Sequence, residues 1–278
     1  MVRKGLLVVL ASLVVAASAS AQASWRFRWQ KGQVFLYGVE QSMTASEMLT
    51  DGKTESTTKT VVVKRWQVQD VDAAGIATLQ LSLDKLRLEK TTASGDALVY
   101  DSSDATKSDP QLKEQLARYV GQPIAVLRLD GFGKLVEVKK SDFGPASRFE
   151  ADLPFLIVLP GADFRAGQYW ERNYKVTLEP PQGTGEKFDA VQRYTCKEAT
   201  AAGATLLVST TLKTMPDSLL DRVPLLQLQP EGEVVFDAQL GLMRSARLTI
   251  DKELKNHQGD GTSYRFQRSY AEQYVRDK

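Results

Sequence analysis

The sequence predicts a mainly β protein: a curved antiparallel sheet or half-barrel of about a dozen long strands, in two related halves, with one or two short helices. Three observations lead there. Apolar and polar residues alternate with period two, as where Leu79, Leu81 and Leu83 face one way and Thr78, Gln80 and Ser82 the other. That is a sheet with one face on a core and one in water. A short phrase is written twice, "KRWQVQDVDAAG" at residues 64–75 and "QRYTCKEATAAG" at residues 192–203. Strand-like and helix-like segments do not alternate as they do in parallel βαβ sheets.

The elements follow in order. Trp25, Phe27 and Trp29 alternate with Arg26, Arg28 and Gln30, which reads as an edge strand packing on the core or lining a ligand groove. Residues 34–43 and 61–70 are strands, and Gly75 takes the tight turn into the next one. Asp109 caps a helix over residues 110–120, Pro110 starts it and Gly121-Gln122-Pro123 stops it. Its stripe of Leu112, Leu116 and Tyr119 is expected to be buried in the concave face of the sheet. A hairpin over residues 125–129 and 134–138 turns at Asp130-Gly131-Phe132-Gly133. Residues 149–159 form an apolar connector, either a short helix or a buried loop. Strands follow at 168–178, 187–197, 204–212, 231–237, 242–251 and 263–274, with a short helix at 216–222 and a turn at 257–261.

The two phrases align Arg65 with Arg193, Trp66 with Tyr194, Val68 with Cys196 and Asp70 with Glu198. Upstream, Gly32-Gln33 matches Gly167-Gln168; downstream, Asp130 and Asp237 each precede a glycine that opens a strand. The expected division is a leader over residues 1–23, a first β half over 24–147 and a second over 148–278, related by internal duplication.

The leader has the layout of a secretory signal peptide: Arg3 and Lys4, an apolar run over residues 6–17, then small-x-small cleavage sites after Ala21 and Ala23. The apolar run is shorter than the roughly 20 residues of a membrane span. An exported protein, periplasmic or extracellular, with no integral membrane span after cleavage, is therefore expected. Loss of Arg3 and Lys4 takes the net charge from +2 to zero, so no basic footprint for nucleic acid remains.

The order of these signs resembles an uncharacterised family of exported bacterial proteins, a domain of unknown function. The likeness rests on the leader, the Gly32–Phe35 strand start, the glycine hairpin at 129–136 and the Pro-Gly-x-x-Phe-x-x-Gly-x-x-Trp stretch at 160–170. It covers most of the chain beyond the leader. That family has no established activity, so the resemblance implies no catalytic residues. The strand-rich plan is also similar, at the level of fold, to the half-barrels of bacterial lipoprotein carriers, a likeness that does not carry function. No unusually hydrophobic cluster announces an acyl-chain cavity in the sequence.

No catalytic, cofactor-binding or metal-binding residues are expected. His257, the only histidine, sits in the polar turn "KNHQGDG" and reads as solvent-exposed, a poor place for a catalytic base. Cys196, the only cysteine, excludes an intramolecular disulfide and reads as a small buried filler, with Arg193 and Lys197 on the opposite face of its strand. One of each gives no zinc cluster. "GDGT" at 259–262 lacks the oxygen ladder of a calcium loop. "SDFG" at 141–144 lacks the other kinase elements, and "GTGEK" at 183–187 lacks phosphate-loop spacing.

The expected function is non-enzymatic: binding of an apolar small molecule, lipid or partner chain in a concave sheet face, with no cofactor. The alternative is a structural or envelope-interaction protein with a filled core. A carboxylate-based hydrolase ranks last, since it needs two buried acids converging in a cleft.

Overall fold

A computed structural model describes residues 25–142, 144–180 and 182–275. The leader over residues 1–23 lies outside the described residues. Strand takes 56% of the chain and helix 10%. The strands are β1 (Val34–Leu49), β2 (Gly52–Val71), β3 (Ala77–Thr91), β4 (Ala97–Asp101), β5 (Pro123–Leu129) and β6 (Leu135–Ser141). They continue as β7 (Tyr169–Leu178), β8 (Glu186–Ala199), β9 (Gly203–Leu212), β10 (Glu231–Asp237), β11 (Leu242–Lys255) and β12 (Ser263–Val275). The helices are α1 (Pro110–Leu116), α2 (Arg148–Ala151) and α3 (Leu219–Arg222).

All twelve strands lie in one antiparallel sheet, ordered β6-β5-β3-β2-β1-β12-β11-β10-β9-β8-β7, with β4 paired to β3 off this path. Two five-stranded meanders therefore stand side by side, and β12 joins them by pairing with both β1 and β11. The sheet curls but does not close, because no ladder links β6 to β7. Segment 149–159 occupies the seam between these two edges. Leu159 donates its amide to the Phe132 carbonyl beside β6, and Val158 accepts the Trp170 indole N–H from β7. Phe149, Leu153, Phe155, Ile157 and Leu159 are all buried, so the connector is largely a core loop.

The repeated phrase falls at matching places. Val68 on β2 exchanges backbone hydrogen bonds with Gly32 and Gln33, and Cys196 on β8 exchanges them with Gly167 and Gln168. The ladder to the next strand shifts register after Val68 in one half and after Cys196 in the other. Asp130 and Asp237 each accept from two backbone amides of the turn that follows.

Two expectations need correction. Residues 25–30 are not a strand but an extended segment across one end of the curled sheet. There Phe27 donates its amide to Gly131 and Arg28 donates to Gly241, tying together the β5–β6 and β10–β11 turns. Trp25 stacks on Phe164 and Phe27 on Trp29, so this stripe packs the core. Gly241 has φ +65°, and a Cβ there would stand 2.4 Å from the Arg28 side chain, so the close approach needs glycine.

Nor does α1 cross the concave face. It spans seven residues, none fully buried, and is tethered to the short edge strand β4 through Asp109. Leu112, Leu116 and Tyr119 are half-buried at the rim. Phe155 of the connector, not α1, packs on Phe27, Trp29, Tyr37 and Trp66 inside the sheet.

Candidate functional site

The inward positions of β1, β2, β3 and β12 stack in rungs set by register. Phe35 faces Trp66 and Leu81; Tyr37 faces Lys64 and Leu83; Val39 faces Val62, Leu86 and Glu272; Gln41 faces Thr60, Leu88 and Tyr270. Arg268 lies one rung beyond, opposite Met43. Between these rungs and the connector is a cavity of about 390 Å³. Its sheet walls are mostly apolar, from Val39, Val62, Leu81, Leu83, Leu86 and Leu88. The connector side is formed by Phe149, Leu153, Pro154 and Leu156, and Leu116 and Tyr119 complete the rim. Leu156 holds φ +61°, a left-handed conformation that costs a branched residue roughly 1 kcal/mol or more. The strain sits in the cavity wall.

Polar groups in this apolar setting are few and have distinct circumstances. Glu272 is the one carboxylate buried among the described residues. It accepts from Lys64 Nζ at 3.1 Å and from Tyr270 Oη at 2.5 Å, while Lys64 Nζ lies 3.0 Å from Tyr270 Oη. Burial would depress the Lys64 ammonium, but Glu272 and Tyr270 outweigh it and hold its pKa above the ordinary lysine value. Burial, then the Glu272 charge, pushes the Tyr270 phenol well above its usual range, so its proton stays in place. The pair is internally satisfied.

Two other cavity-lining groups are not. The Trp66 indole N–H and the Arg268 Nε–H are both buried with no acceptor. Trp29 and Trp170, by contrast, donate to the backbone carbonyls of Asp130 and Val158. Arg268 contacts the Tyr270 ring at 5.3 Å but has no carboxylate partner among the described residues. Within the cavity wall Lys64 is matched by Glu272, and Arg148 has Asp152 at 3.7 Å. A buried N–H without an acceptor costs roughly 1–3 kcal/mol, so two in one cavity are informative.

The single cysteine and single histidine weighed in the sequence fall elsewhere. Cys196 is buried in the core, and burial raises its thiol pKa. Arg193 and Lys197 are exposed on the other face and pair with Glu171 and Glu233. His257 corrects its expectation: it is buried rather than exposed, because the 256–262 turn folds back onto β1, where the ring meets Glu47 Oε1 at 2.9 Å. No group of three or more candidate metal ligands occurs among the described residues. No helix among them is long and apolar enough to cross a membrane. The cavity itself was missed in the sequence. The signals available were Val61-Val62-Val63 and the leucines at 83, 86 and 88, which a register shift at Asp84 brings to one wall.

The sequence matches no family model and no curated protein. Among solved structures the chain is similar to one titled "Lipid-protein interactions in lipovitellin", with a TM-score of 0.47 and 13% identity. That match spans 90% of this chain but only 26% of the other. A second, DynF from the dynemicin biosynthesis pathway of Micromonospora chersina, gives a TM-score of 0.23 and 8% identity over 90% of this chain and 85% of that one. Neither likeness is close enough to carry function.

Proposed function

We propose that this protein is a non-catalytic carrier or receptor for an elongated apolar ligand, held between β1–β3, β12 and the connector. One observation carries the reading. Leucine, valine and tryptophan side chains line an unfilled space of about 390 Å³, within the size range of ligand pockets.

The test is a homologous series of neutral straight-chain alcohols displacing N-phenyl-1-naphthylamine, an uncharged fluorophore that brightens in apolar surroundings. Each added methylene is worth about 0.8 kcal/mol, close to fourfold in affinity. Affinity is expected to climb by that factor per carbon and to level off once the chain outgrows the cavity. Absence of probe binding, or a flat response to chain length, would end the reading.

The same proposal places the protein outside the cytoplasm, periplasmic or extracellular, after loss of the leader. Sequencing of the exported form is expected to begin at Ser24 or Gln22. The paired hydrogen bonds at Val68 and Cys196, and the matching turns at Asp130 and Asp237, support internal duplication as the origin of the two halves.

A further inference from the structure

We infer that the ligand is an anionic single-chain amphiphile, a straight-chain carboxylate, whose head is held by Arg268 and whose tail runs inward, toward Trp66. The inference rests on the proposed binding function and specifies its chemistry. Register sets the direction. Arg268 stands opposite Met43, and Met43 opposite Thr58, eight residues along β2 from Trp66 and so about 26 Å of strand away. One end of the cavity thus carries a cation and the other an indole, with valine and leucine walls between.

Charge selects the head. Lys64 and Arg148, the other two cations in the wall, each have a carboxylate of the protein beside them. Arg268 is the uncompensated one among these three, and its buried Nε–H has no acceptor. One surplus positive charge matches a monoanion. A carboxylate oxygen on Arg268 would supply the missing acceptor and form a charge-assisted hydrogen bond. Lys64 does not compete for it, because Glu272 and Tyr270 already surround its ammonium.

The experiment compares dodecanoate, dodecanol and dodecyl phosphate at pH 8 as competitors for N-phenyl-1-naphthylamine, on the wild type and on Arg268→Gln and Arg268→Lys. Dodecanoate is expected to displace the probe at a concentration at least tenfold lower than dodecanol. Arg268→Gln is expected to erase that difference, with each competitor read against the probe affinity of the same variant, and Arg268→Lys to restore part of it. The probe is neutral, so its binding to each variant reports both an intact fold and an intact apolar cavity. Equal displacement by acid and alcohol, with the probe still bound, would overturn the anionic assignment and leave the apolar reading standing. Tighter binding of dodecyl phosphate than of dodecanoate would overturn the carboxylate. A wild type that fails to take up the probe would remove both readings.

Discussion

The two crossovers of the sheet leave and return at matching places and do opposite things. Between β9 and β10 the chain forms α3 and a 3₁₀ turn (Val223–Leu228), and it drives Leu225 and Leu226 into the interior. Leu225 packs with Val176, Leu178, Ala190 and Leu212, and Leu226 with Ile250 and Phe266. Between β3 and β5 the chain forms β4 and α1, which stay on the outside and bury none of the helix. The rungs differ in the same sense. Lys64 in the open half pairs with a buried acid. Its counterpart Gln192 bonds to Thr210, Tyr194 and Arg172 in a mostly neutral network. The two crossovers therefore differ in whether they insert leucines inward.

The first way to break this comparison is at the paired rung. Lys64→Met leaves Glu272 buried without its cation and is expected to cost roughly 3–5 kcal/mol in urea unfolding. Adding Glu272→Met should recover most of that loss. A double variant as unstable as the sum of the singles would mean the pair is not a unit. Next come the crossovers. Leu225→Ala is expected to cost roughly 2–5 kcal/mol. Leu116→Ala, at the cavity rim, should cost under about 1 kcal/mol. Similar losses at the two sites would erase the distinction between filled and open halves.

Alkali gives a third test. Burial pushes the Tyr194 phenol up to about 12, whereas the unfolded chain releases that proton near 10. Between those values the folded state holds more protons, so stability falls as pH rises, by about 3 kcal/mol for this residue. Lys64, Tyr37 and Tyr270, also raised, act in the same direction. Tyr194→Phe should flatten the fall between pH 10 and 12, read from urea midpoints at each pH. Smallest in energy is Leu83→Phe, which adds bulk to the open side. It should change stability by less than about 1 kcal/mol because it enters unfilled space rather than a packed core. It should also abolish uptake of the fluorophore, and unchanged uptake would show that the probe sits elsewhere.

Much of the architecture was legible because one-sided strands announce themselves. Leu79 and Leu81 alternate with polar partners, and β3 is where that pattern predicts it. The outer parts of β1 and β2 were not legible. Residues 53–60 are nearly all polar, since both faces of that ribbon meet water, and only pairing with β1 makes them a strand. The aromatic stripe at 25–29 misled because period two in an extended core segment is indistinguishable from period two in a strand. The cavity was hidden for a different reason. Its lining comes from strands far apart in the chain, and Arg268 looks like any surface arginine until register places it opposite Met43. His257 was misplaced because a polar neighbourhood in sequence says nothing about which strand a turn folds against.

The unsealed seam has a mechanical consequence. A fully hydrogen-bonded barrel fixes its girth through backbone register, and widening it breaks ladder bonds. Here the circumference is spanned at one point by side chains, the Leu159 amide and the Val158 carbonyl of a single segment, the same segment that walls the cavity through Phe149, Leu153 and Leu156. That segment works as a clasp. On the proposed binding function, guests of different width would be accommodated by shifting one wedge, with the ladders from β6 round to β7 left whole.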